Sequence, residues 1–123
     1  MYVEPIRAFT MTTTKDDEIR AALEELRKEY FAELPDLLGA LSLAVATAKQ
    51  SGTPEDLRSA ISKAHALKGT SGSYRFTDIS EQAGLMEDGL LGIQAGWLPP
   101  DQGWPEIERA LSAAESALRK STA

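Results

Sequence analysis

The chain contains a single histidine, His65, and residues that could assist its chemistry recur around it at helical spacing. Ser62 comes three residues before His65, Lys68 three residues after it and Gly69 four residues after it. Residues three or four positions apart lie on one side of an α-helix, so these residues are predicted to surround the imidazole. The apolar residues of the segment follow a different stripe, which predicts that His65 faces solvent or a partner; that stripe consists of Leu57, Ile61, Ala64 and Leu67.

Two glycines, Gly69 and Gly72, lie in the same predicted helix, and Arg58 lies seven residues before the histidine. A glycine inside a helix costs about 1 kcal/mol relative to alanine, so helix stability does not explain them. Together they leave a strip without side chains, where the active site of another protein could approach His65 closely. Three plainer alternatives stay open: Gly72 could end the helix, Gly69 could allow a close helix contact, and Lys68 could be a solvated charge.

A histidine beside a cation and a bare surface suits reversible phosphorylation of a ring nitrogen. Histidine side chains are largely neutral at pH 7, so one nitrogen has a lone pair that can attack phosphorus. The ammonium of Lys68 would then stabilise the phosphoryl oxygens. The sequence has no glycine-rich phosphate loop and no evident carboxylate set for magnesium. We therefore expect a phosphoryl carrier without autonomous kinase activity.

The composition restricts the other classes of function. With 123 residues, 42% hydrophobic and 26% charged, the chain suits one folded domain. Its net charge of −6 argues against binding to nucleic acid or to an anionic membrane. The absence of cysteine excludes disulfides, thiol catalysis and thiolate zinc sites. The uncharged apolar run that begins at Leu37 and ends before Lys49 is too short to span a bilayer, and no signal peptide is evident, so we expect a cytoplasmic protein.

Apolar residues in steps of three or four predict a first helix from about Asp16 to Gln50. The stripe keeps its phase through Pro35, which favours one long helix with a kink, although two helices meeting near Leu34 stay possible. The predicted stripe comprises Ile19, Leu23, Leu26, Tyr30, Leu34, Leu37, Leu41, Val45 and Ala48. Residues 1–14 are predicted to be a flexible N-terminal arm.

A second helix is predicted to begin after Thr53, a good N-cap that is followed by Pro54, and to run to about Tyr74. Its buried stripe is predicted to be Leu57, Ala60, Ile61, Ala64, Leu67, Ser71 and Tyr74. Thr77 or Asp78 would cap a third helix, which frays between Gly92 and Gly96; its inner residues would be Ile79, Ala83, Met86 and Leu90.

Residues 97–103, with two prolines and a glycine, are predicted to be a loop. Pro105 would begin the last helix, with Ile107, Leu111, Ala114 and Leu118 on one face. We expect Trp97 and Trp104 to close one end of the core. Short connections make consecutive helices antiparallel, so residues 15–121 are predicted to form an all-α, up-down-up-down four-helix bundle. A short N-terminal arm or an extra helix would precede it.

The segment Ala64-His65-Ala66-Leu67-Lys68-Gly69-Thr70-Ser71-Gly72 resembles the signature of histidine phosphotransfer (HPt) domains, in which leucine, lysine, glycine and small residues follow a histidine. The similarity extends into the next predicted helix, where the family has an aliphatic residue, a small residue and a leucine–glutamate pair; here these are Ile79, Ala83, Met86 and Glu87. Upstream, Phe31, Leu38, Leu41 and Ala44 resemble the first helix of the family's bundle. The resemblance covers about residues 29–92.

The resemblance implies an intermediate of a multistep phosphorelay in two-component signal transduction. His65 would be the phosphoryl acceptor and Lys68 would stabilise the phosphoryl group. The partners would be receiver domains of response regulators, a hybrid sensor histidine kinase, or both. Magnesium would be bound only by the receiver domain, and the chain itself would need no cofactor or metal. The partner-binding surface would comprise Arg58, Ile61, Ser62, Gly69, Gly72 and Arg75.

One residue departs from the family pattern, because Arg75 occupies a position where the family often has glycine. The arginine is expected to alter the end of the helix or the choice of partner, and it leaves the acceptor chemistry unchanged. We expect the protein to be a monomer.

Two alternatives compete with this hypothesis. The first is an adaptor with the same bundle, which binds a receiver or another helical partner and is never phosphorylated. The second is an autonomous enzyme or metal protein, for which one histidine without cysteines provides few ligands.

Overall fold

The computed structural model describes residues 4–121 of the chain, with side chains from Thr14 onward. Four helices make up the described part, which contains no strand: α1 (Glu4–Ser51), α2 (Pro54–Ser73), α3 (Thr77–Ala95) and α4 (Pro100–Lys120). This confirms the predicted all-α class. Pro35 lies inside α1, so the segment is one long helix, and it begins earlier than predicted. The flexible arm predicted for residues 1–14 stays a prediction, since residues 1–3 lie outside the described range.

Two compact units divide the chain, one extending to Ala32 and the other covering Glu33–Thr122. The first unit holds the N-terminal part of α1. There the predicted apolar stripe is largely exposed, with Tyr30 as its one buried described member. Its exposed members are Ile19, Leu23 and Leu26.

The second unit holds the four-helix core. The stripe of α1 continues there with Leu38 buried, whereas Leu37, which the periodicity had placed inside, is exposed. An ion pair of 3.0 Å between Lys49 and Glu108 joins α1 to α4. The buried core residues of the helices are Leu34, Leu38, Leu41, Val45, Ala48, Leu57, Ala60, Ala64, Leu67, Ile79, Ala83, Met86, Leu90, Trp104, Ile107, Ala110, Leu111 and Ala114.

Helix α1 is long and apolar enough to be compared with a membrane-spanning helix. One 18-residue window within Thr14–Ser51 reaches a mean hydropathy of 1.4, enough by length and composition to cross a bilayer. Core helices of globular domains reach similar values, and Leu34, Leu41 and Val45 of this helix are buried in the bundle. The buried apolar residues of α1 in the second unit thus serve the core, whereas Leu37 and Leu43 are exposed.

The helix ends explain how α2 is positioned. The side chain of Thr53 accepts a hydrogen bond from the amide of Asp56, and Pro54 opens the helix, as predicted. At the other end the chain leaves the helix through Arg75, whose φ of 65° lies in the left-handed region. The amide of Phe76 then donates to the carbonyl of Ser71, and its ring is buried.

The start of α3 and the end of the loop after it were predicted wrongly. Phe76, without a side-chain cap, precedes α3 in place of Thr77 or Asp78. The end of α3 falls within the predicted range, since the helix runs to Ala95 and Gly96 follows it in the left-handed conformation. Gly92 lies inside the helix, and a Cβ there would come within 2.9 Å of the Leu98 side chain. The predicted loop ends earlier than expected, since Pro100 is the first residue of α4 and suits that position.

The two tryptophans differ. Trp104 is buried in the core, as predicted, but Trp97 is 71% exposed and does not close the bundle.

Candidate functional site

Helices α2 and α3 run antiparallel and contact each other at successive levels along their length. The hydroxyl of Ser80 donates to the carbonyl of Lys68 at 2.7 Å, and it lies 3.1 Å from the position that a Cβ on Gly72 would occupy. One turn further on, the Lys68 stem lies 3.5 Å from the Cβ position of Gly84. One level beyond, His65 faces Glu87. The small residues allow the helices to approach closely and so fix which residue of α3 faces the histidine.

A short hydrogen bond joins His65 to Glu87, with 2.7 Å between Nδ1 and Oε2. The histidine side chain is 74% exposed, whereas the glutamate side chain is only 12% exposed. An ionised carboxylate can only accept, so Nδ1 is the ring nitrogen that carries the hydrogen. The lone pair of the neutral ring is then on Nε2, for which the described residues provide no hydrogen-bond partner. The geometry thus leaves Nε2 available for chemistry.

Lys68 approaches the other oxygen of the same carboxylate. Its Nζ lies 3.8 Å from Oε1 of Glu87, beyond hydrogen-bonding distance, and its side chain is half exposed. The ammonium is therefore close to His65 and loosely held, so it can turn toward an anion that arrives at the ring. Glu87 offsets this cation while no anion is present.

The sequence did not predict that Glu87 belongs to the site. It was matched only to the family pattern and was not among the predicted site residues. A signal was available, because Glu87 adjoins the core residue Met86 and lies one turn after Ala83. It is a charged residue at the edge of an apolar stripe, and such a residue is buried mainly when it has a partner.

The glycines predicted to clear the approach to His65 have different environments. A Cβ on Gly69 would meet nothing within 4 Å, so this position is open, as the bare-strip hypothesis requires. A Cβ on Gly72 would press against the hydroxyl of Ser80, which gives this glycine a packing reason. Gly69 therefore keeps the surface free of side chains, whereas Gly72 allows α3 to approach α2.

The other predicted site residues also lie on α2 or just after it. Arg58 and Ser62 are exposed on the same side as His65, and Ile61 is half-buried at the edge of the core stripe. Arg75 is exposed beyond the end of the helix. Its left-handed backbone explains why glycine suits this position, since a Cβ disfavours that conformation.

Two surface grooves are described, and neither lies at the histidine. A groove of about 470 Å³ lies between α3 and α4, where Leu85, Trp97 and Ala110 contribute to its lining. A smaller groove of about 250 Å³ lies between α1 and α2. Neither includes His65, which stands on an open helix surface that suits a protein-sized substrate better than a small molecule. The described residues also contain no cluster of three or more potential metal ligands.

Comparison with known proteins gives one match. The family model of the Hpt domain matches residues 25–119 of the chain. No curated protein and no solved structure matches the chain significantly.

Proposed function

The chain belongs to the Hpt domain family, and on that premise we propose that it is a phosphorelay intermediate whose His65 accepts a phosphoryl group and passes it on. Hpt domains act in histidine phosphotransfer, interact with receiver domains of two-component systems, and carry phosphoryl groups without being kinases. The observation that carries the assignment to His65 is its hydrogen bond to Glu87 on an otherwise open helix face.

The transfer step follows from the tautomer. The lone pair of Nε2 attacks the phosphorus of an aspartyl phosphate, the N–P bond forms, and the P–O bond to the aspartate breaks. The aspartate leaves as a carboxylate, and the ring gains a positive charge while Nδ1 keeps its hydrogen. The carboxylate of Glu87, 2.7 Å away, stabilises that charge. The hydrogen bond between His65 and Glu87 is kept in both directions of the step, so the phosphoryl group can also return from Nε2 to an aspartate.

Lys68 would supply a second electrostatic stabilisation, that of the phosphoryl group on His65. Phosphorylation places about two negative charges at Nε2. The loosely held ammonium can leave Glu87 and pair with the phosphoryl oxygens, while Glu87 keeps its hydrogen bond to the ring. One carboxylate thereby serves the histidine in both states and the lysine in the unphosphorylated state.

The partner would complete the site. A receiver domain would supply the aspartate and the magnesium ion, and the chain would have no cofactor of its own. We also propose that the protein is cytoplasmic, monomeric and without autonomous kinase activity. The open surface at Gly69 and the exposure of His65 support a carrier that meets its substrate on another protein.

Transfer from purified phosphorylated receiver domains to the wild-type chain and to His65→Gln tests the proposal. Only the wild type is expected to gain phosphate, and the bond is expected to be acid-labile. Because the chain has one histidine, acid-labile label assigns the site directly. Labelling of a folded His65→Gln variant would refute the assignment. Binding of a receiver without any transfer would favour the adaptor alternative.

A further inference from the structure

The groove between α3 and α4 lies on the side of α3 that is turned away from the acceptor. Ser80 and Glu87 of α3 contact residues of α2. Leu85 and Gly89 line the groove, and they lie roughly half a turn around the helix from Glu87, since successive residues are about 100° apart. A partner bound in this groove would therefore leave His65 accessible.

The surface of the groove is apolar and open. Trp97 is 71% exposed and Leu85 is 57% exposed, and both side chains line it. Gly89 contributes no side chain, and Ala110 and Ala113 of α4 contribute only methyl groups, so space remains between the two helices. Large apolar side chains that are exposed together on one concave surface are typical of protein interaction sites, where tryptophan often provides much of the affinity.

Trp97 is held in place although it is exposed. Gly96 has a φ of 88° and turns the chain at the end of α3, and the amide of Leu98 donates to the carbonyl of Gly92. Two atoms of the Trp97 ring lie 3.0 Å from the position that a Cβ on Gly92 would occupy, so the ring rests on α3 at this glycine. A side chain that is ordered before binding loses little freedom when a partner covers it.

The charges around the groove are mostly negative. Asp88 and Glu106 line it together with one cation, Arg109. Two more exposed carboxylates, Asp78 and Glu81, extend the same side of α3 by one turn. Helix α3 contains no lysine or arginine. None of these four carboxylates forms an ion pair with another described residue, so their charges are available to a partner.

We propose that this groove binds an amphipathic helix of a partner protein, with the apolar side of that helix in the groove and lysine or arginine residues flanking it. The distance from Gln82 to Gly89 along α3 is about 10 Å, or two helical turns. A groove of this kind accepts apolar residues spaced by three, four and seven positions on a helix. The partner would hold the chain while His65 exchanges phosphate on the other side.

A second copy of this chain fits the groove less well. Its exposed apolar stripe consists of Ile19, Leu23 and Leu26. The segment that carries this stripe, residues 14–29, contains more carboxylates than cations. Like charges across an interface oppose binding, so a basic helix of another protein complements the groove better.

Two synthetic helical peptides with the same leucine stripe test the charge requirement, one flanked by lysines and the other by glutamates. Binding to the full chain is followed by tryptophan fluorescence, which should shift to shorter wavelengths as Trp97 is covered, because Trp104 is already buried. The lysine peptide is expected to bind about tenfold more tightly or better. Equal affinities would contradict the charge argument, and binding of neither peptide would overturn the proposal.

Leu85→Arg tests the location. It should weaken binding of the lysine peptide by about tenfold or more, as expected for a central apolar contact. The matched control is Leu43→Arg, which adds the same charge at a leucine that is 70% exposed on α1 and lines the other groove. The control should bind as wild type does, and circular dichroism checks that both variants are folded. If Leu85→Arg binds as wild type does, or if both variants lose the same affinity, the peptide does not occupy this groove and the proposal is wrong.

Labelling of His65 by phosphoramidate tests whether the two surfaces are separate. A saturating amount of the lysine peptide should leave the labelling rate of the wild type unchanged. A rate that falls as the groove fills would contradict a site that leaves the acceptor accessible. Peptide binding is measured without phosphate, so failure of the groove proposal leaves the proposed phosphotransfer standing, and failure of phosphotransfer leaves the binding result standing.

Discussion

Oε2 of Glu87 lies 2.7 Å from Nδ1 of His65, across 22 positions of sequence and between two different helices. The contact turns an exposed histidine into one with a defined tautomer, because a carboxylate accepts only from the nitrogen that carries the hydrogen. It also places a negative charge where the ring would become positive in the proposed transfer. Several consequences of this arrangement can be measured.

Replacing Glu87 by alanine should remove the tautomer preference and the stabilisation of the charged ring. We expect phosphorylation of His65 to slow by about tenfold or more, as when a group that orients a reacting histidine is lost. Nitrogen-15 NMR of the single histidine should show Nδ1–H in the wild type and a mixture of tautomers in Glu87→Ala. The matched control is Glu81→Ala, an exposed carboxylate on the same helix. Equal rates for wild type and Glu87→Ala would remove Glu87 from the mechanism.

Lys68→Ala should slow transfer from the receiver and shorten the lifetime of the phosphohistidine, because the phosphoryl oxygens lose their cation. We expect an effect of about tenfold, and partial rescue by Lys68→Arg, which keeps the charge with a different geometry. Lys63→Ala serves as the control, since this lysine bonds only Ser59 among the described residues. A lifetime that is the same in all of these proteins would show that Lys68 is a solvated surface charge.

Arg75→Gly should stabilise the fold. Arg75 has a φ of 65°, and a residue with a side chain in this left-handed region costs about 1–2 kcal/mol. Glycine avoids this cost, but its unfolded chain is more flexible, which offsets part of the gain in stability. The expected gain in the free energy of unfolding is about 1 kcal/mol, measured by urea denaturation. Ala66→Gly, at an exposed position within α2, should instead lose about 1 kcal/mol. A loss of stability in Arg75→Gly would mean that its side chain compensates for the backbone.

Two glycine-to-alanine changes should have opposite effects on stability. At Gly69 a Cβ meets nothing within 4 Å, so Gly69→Ala should stabilise α2 by up to about 1 kcal/mol. At Gly89 a Cβ would come within 2.8 Å of Cγ1 of the buried Ile107, so Gly89→Ala should destabilise the bundle by about 1–3 kcal/mol. Thermal unfolding of both variants checks the signs. Two changes of the same sign would contradict the helix packing described here.

The local features of the sequence were sufficient to predict much of the fold. Thr53 and Pro54 placed the start of α2, and the phase through Pro35 predicted one continuous α1. Prediction failed where packing overrides local preference. Phe76, whose ring is buried, precedes α3 in place of the predicted polar caps, and Pro100 begins α4 although a proline also marks loops.

The sequence by itself determined that His65 stands on the polar side of a helix with Lys68 and Gly69 beside it, because a period of 3.6 residues settles which side chains share a face. It did not determine what lies across from that face. The partnership of His65 with Glu87 depends on how far α3 is shifted along α2. Contacts between small residues, such as that of Ser80 with Gly72, set the position of α3 along α2. These contacts form only when the two helices pack together. The tertiary structure alone therefore decided which nitrogen of the histidine is free to react.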